Sequence, residues 1–78
     1  MNKELFKCLR LYQGHSQASF ADVLGIGIST VDAVESGNRP LSPYIRARLA
    51  INFELDDAFF TFYENYVRMS NDNITTKP

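Results

Sequence analysis

Gln17-Ala18-Ser19-Phe20-Ala21-Asp22-Val23-Leu24-Gly25-Ile26-Gly27-Ile28-Ser29-Thr30-Val31-Asp32-Ala33-Val34-Glu35-Ser36 holds two short helical patterns separated by two glycines. In the first, Phe20, Val23 and Leu24 recur at the three- and four-residue spacing of one helix face, and Ser16 just ahead can accept from the free amides of the first turn. A glycine inside a helix costs about 1 kcal/mol relative to alanine, so Gly25-Ile26-Gly27 predicts a tight turn. Beyond it Val31 and Val34 share the inner side of a helix over Ile28 to Ser36, which Gly37 stops. Two helices that cross closely need a small residue in the middle of the first, and Ala21 stands there. The turn between them needs a positive φ, which Gly25 adopts without steric cost.

Working outward, Asn2 is placed to cap a helix over 3–13 with Leu5, Phe6, Leu9 and Tyr12 on its apolar side and Gly14 as its stop. Asn38-Arg39-Pro40-Leu41 reads as a loop, and Ser42-Pro43 as a cap followed by proline in the first turn of a helix reaching about Phe53. Asp56 opens a fifth helix, 56–69, rich in Phe and Tyr, and residues 70–78 are expected to form a flexible tail. No stretch alternates apolar and polar residues long enough for a sheet. The expectation is an all-α, five-helix domain over 1–69.

The 78 residues suit one domain with a small core and leave no room for a separate catalytic one. Apolar residues make up 45% and charged residues 22%, a globular rather than disordered balance. No run approaches a membrane span and Met1 to Arg10 lacks the apolar stretch of a signal peptide, so the expected location is cytoplasmic. The net charge of −1 is unevenly placed. Residues 1–50 carry six Lys and Arg against four acids, whereas residues 51–78 carry two against five. The first two-thirds can face phosphates while the acidic end faces away.

Two short helices joined by a turn of three to four residues containing glycine make a helix-turn-helix unit. Gln17 to Gly25, followed by Ser29-Thr30-Val31-Asp32-Ala33-Val34-Glu35-Ser36-Gly37, closely resembles the DNA-binding domains of the XRE family, the group of the Cro and CI phage repressors. The resemblance covers about residues 3–57 and implies a lambda-repressor-like fold. It further implies that the third helix enters the major groove of double-stranded operator DNA, with base contacts from Ile28, Ser29, Asp32 and Ala33 and with Gly27 and Thr30 also on the DNA-binding side. Gln17, Asn38 and Arg39 take the positions that meet phosphates, and Arg10 and Glu35 those of a structural ion pair. This third helix departs from a strong base reader, because none of these positions carries the Arg, Lys, Asn or Gln that base edges usually meet.

In the fifth helix Phe59, Phe62 and Tyr66 form one apolar line and Phe60, Tyr63 and Val67 another. A small domain can cover only one, so a homodimer is expected, with Phe59, Phe62, Tyr63 and Tyr66 at its interface. His15 lies in a turn where a phosphate contact is the expected role, and Cys8 reads as a packed thiol. Neither catalytic residues nor a cofactor nor a metal is expected. The sequence thus points to a repressor-like transcription regulator, with one alternative from another class: an antirepressor-like module that keeps the fold but binds another regulator protein.

Overall fold

The computed structural model describes residues 2–75, with side chains through residue 70. Among these residues it contains five helices and no strand. Helix α1 (Lys3–Tyr12) starts behind Asn2, whose Oδ1 accepts from the Leu5 N–H at 2.8 Å. Helix α2 (Gln17–Leu24) follows Ser16, which accepts from the Ser19 N–H at 3.1 Å. Helix α3 (Ile28–Ser36) has no side-chain cap, and the Gly27 carbonyl instead takes the N–H groups of Thr30 and Val31. Helix α4 (Pro43–Asn52) is capped by Ser42 and helix α5 (Asp57–Thr75) by Asp56, whose side chains accept from Ile45 and Phe59 at 3.2 and 2.9 Å. Each such cap satisfies an amide the helix leaves unpaired and is worth about 1 kcal/mol.

The closures of α2 and α3 are alike. Gly25 has φ 69° and Gly37 φ 85°. After α2 the Ile26 N–H reaches back to the Ala21 carbonyl and Gly25 to Asp22; after α3, Asn38 reaches Ala33 and Gly37 reaches Val34. This double bond pattern needs a left-handed residue just past the helix, where a side chain would be strained.

Helix α5 lies on α1, α1 on α3, α3 on α2, and α2 on α4. Phe6, Leu9, Phe20, Leu24, Val31, Val34, Ile45, Leu49 and Phe59 fill the interior, with the Phe6 and Phe20 rings edge to face at 5.3 Å. Burying each large apolar side chain contributes roughly 1.5–3 kcal/mol, which makes this interior the main source of stability.

Two expectations are corrected at the C-terminal end. Helix α5 continues to Thr75 rather than stopping near Met69, because no glycine or proline interrupts it; residues 76–78 of the expected tail lie outside the described residues. Phe59 is 0% exposed, packed edge to face against Tyr12 at 5.5 Å, so it belongs to the core of its own chain and not to a dimer interface. Phe62, Tyr63 and Tyr66 are half-buried against that core. Phe60, at 41% exposed, points away. Among the described residues no helix is long and apolar enough to cross a membrane.

Candidate nucleic-acid interface

Val31 and Val34 anchor α3 inward, so the helix period turns Ile28, Ser29, Asp32 and Ser36 outward, and all four are exposed. Thr30 and Ala33 are half-buried at the flanks of this face. Gly27 is exposed ahead of its first turn, and Asn38 and Arg39 are exposed just past its end. The residues expected to meet bases, and those expected to meet phosphates after α3, are thus exposed or half-buried along α3 and just beyond its end.

Behind that surface lies a set of polar contacts. The Arg10 Nε donates to Glu35 Oε2 at 2.6 Å and its Nη2 to Oε1 at 3.0 Å, both side chains being largely buried. The same guanidinium donates from Nη1 to the His15 carbonyl at 3.1 Å. Arg10 thus joins α1 to the last turn of α3 and to the loop ahead of α2. A two-pronged guanidinium–carboxylate contact fixes orientation as well as distance.

Gln17 sits half-buried in the first turn of α2, with its amide turned toward α3. Its Nε2 donates to Glu35 Oε1 at 3.2 Å and, at 3.5 Å, to Asp32 Oδ1. The sequence placed this residue on a phosphate; in the structure it links α2 to both acids of α3. His15 is likewise engaged within the chain, its Nδ1 at 2.9 Å from Ser19 Oγ and its ring against Phe20 and Phe53. One contact escaped the sequence reading altogether: Arg48 of α4 donates from Nε to the Leu24 carbonyl at 3.2 Å, holding the end of α2 beside the turn. Nothing in local spacing marks this pair, since they are 24 residues apart.

Charge on the face is sparse. Asp32 is its one ionised group, and the nearest cation along the chain is Arg39 in the following loop. Cys8 is buried, and that burial pushes its thiol up from the ordinary value, with Lys7 opposing and Glu4 adding to the shift. Among the described residues no three His, Cys, Asp or Glu side chains come together as a metal set. No family model, curated protein or solved structure matches the chain.

Proposed function

We propose that the chain is a DNA-binding transcription regulator of the Cro and CI repressor kind, with a lambda-repressor-like helix-turn-helix fold. In this reading α3 enters the major groove, Asn38 and Arg39 meet the phosphates flanking it, and the amide-bearing start of α2 approaches the other side. The observation that carries the proposal is the open outward face of α3, presented at an angle held by the Arg10–Glu35 contact and by the Gly25 turn. A helix held at both ends and bare on its outer side is what insertion into a groove requires. Two copies, meeting through α5, would span half-sites one helical turn apart, roughly 34–36 Å.

Titration of duplex DNA at several salt concentrations tests this. Phosphate neutralisation releases counterions, so affinity should fall steeply with salt, by about 0.9 in logarithmic slope for each phosphate met. Salt-insensitive binding, or none, would exclude it.

The composition of the same face favours a second reading. It bears Ile28, 52% exposed, and Asp32, with no Lys or Arg on α3 at all. An apolar and acidic helix also suits docking onto another regulator protein. Binding to such a protein without any shift of DNA would select that reading.

A further inference from the structure

Resting on the DNA-binding reading, the chemistry of the α3 face narrows what it can recognise. Guanine presents two acceptors to the major groove, adenine one acceptor and an amine, cytosine an amine, and thymine one acceptor beside a C5-methyl group. Reading guanine calls for long, forked donors, and α3 has none. Of the two nearby amides, that of Gln17 is donated to Glu35 and Asp32, and that of Asn38 lies past the end of the helix among the phosphate-facing residues of the proposed reading. What this face offers is a branched hydrocarbon at the first turn, Ile28, the short hydroxyls of exposed Ser29 and half-buried Thr30, and one turn on from Ile28 an acceptor-only carboxylate, Asp32. Such a face matches a methyl group and an exocyclic amine and repels guanine's paired acceptors.

We infer that Ile28 recognises the C5-methyl group of a pyrimidine, thymine in ordinary DNA, while Asp32 accepts from an exocyclic amine about one base pair away. Because 5-methylcytosine carries its methyl at the same groove position, it satisfies Ile28 as thymine does, and cytosine does not. The specificity of the site is therefore for a pyrimidine edge that carries a C5-methyl group, and against guanine.

The test uses the full chain and its tightest duplex from a random pool, with each thymine replaced singly by deoxyuridine, which removes only the methyl. At one position in each half-site the affinity should fall about fourfold, the effect of losing one buried methyl. In the Ile28→Ala protein that position should become indifferent to the methyl while the salt slope stays as in the parent. Methylating C5 of a cytosine placed at that position should raise parental affinity by a similar factor. Salt-steep binding with a flat deoxyuridine scan would overturn the inference and leave DNA binding standing. Absence of duplex binding at every salt concentration would overturn both.

Discussion

Arg10 and Glu35, 25 residues apart, meet through two hydrogen bonds of 2.6 and 3.0 Å with their side chains 11% and 7% exposed. Removing one member of such a pair leaves a nearly buried charge without its partner, at a cost of about 3–5 kcal/mol. Arg10→Ala or Glu35→Ala should therefore lower Tm by at least about 12 °C in a domain of this size. Replacing both by apolar residues of similar volume, Arg10→Met with Glu35→Leu, should recover most of that loss. Thermal denaturation of the three variants checks this; single variants that melt like the parent would show the pair to be energetically idle.

Gly25 has φ 69°, and a Cβ there would find only ordinary contacts, 3.7 Å to Tyr44 and 3.9 Å to Arg48. The obstacle to a side chain is backbone conformation, not space. Gly25→Val should cost more than about 1 kcal/mol, whereas Gly25→Asn should cost clearly less because asparagine tolerates the left-handed region. Urea unfolding separates the two. Equal midpoints would place the penalty elsewhere.

Much of this helix pattern was legible in the sequence for local reasons. Asn2, Ser16, Ser42 and Asp56 cap the helices assigned to them, since capping depends on a residue and the amides two or three positions on. Gly25 and Gly37 stop helices for an equally local cause, their freedom at positive φ. What local spacing did not announce concerns groups whose partners lie far along the chain. Gln17 was expected at a phosphate from its place in a motif, and nothing near it signals that its amide also answers to two acids 15 and 18 residues later. On α5 the aromatic pattern announced two apolar lines, but which one faces inward depends on how α5 lies on α1, and this decides that Phe59 is buried and Phe60 exposed.

Arg39 is exposed in the loop after α3. If it meets a phosphate, Arg39→Ala should weaken binding to every duplex by a similar factor and lower the salt slope by about one. Preference among sequences should remain. A changed preference with an unchanged slope would assign Arg39 to base reading instead.

The two sides of α5 should separate cleanly in solution. Phe59→Ala removes a fully buried ring and should cost about 3–5 kcal/mol. Phe60→Asp alters an outward ring and should leave Tm nearly unchanged while converting the proposed dimer to a monomer in sedimentation equilibrium. A parent that sediments as a monomer at high micromolar concentration would remove α5 as an assembly surface.

Helix α1 touches both α5 and α3. It is a stiff rod about 15 Å long. In the proposed pair the separation of the two reading helices is then set by rigid crossings, with no slack strand between the place where the copies meet and the place where each meets DNA. Shifting one half-site by a single base pair rotates it by about 35° around the duplex axis, and a rod fixed at both faces cannot follow. Under that proposal the pair would act as a gauge, measuring the distance between two sites as strictly as it reads either one, with Arg10, which ties α1 to the last turn of α3, as the fastener that keeps the gauge true.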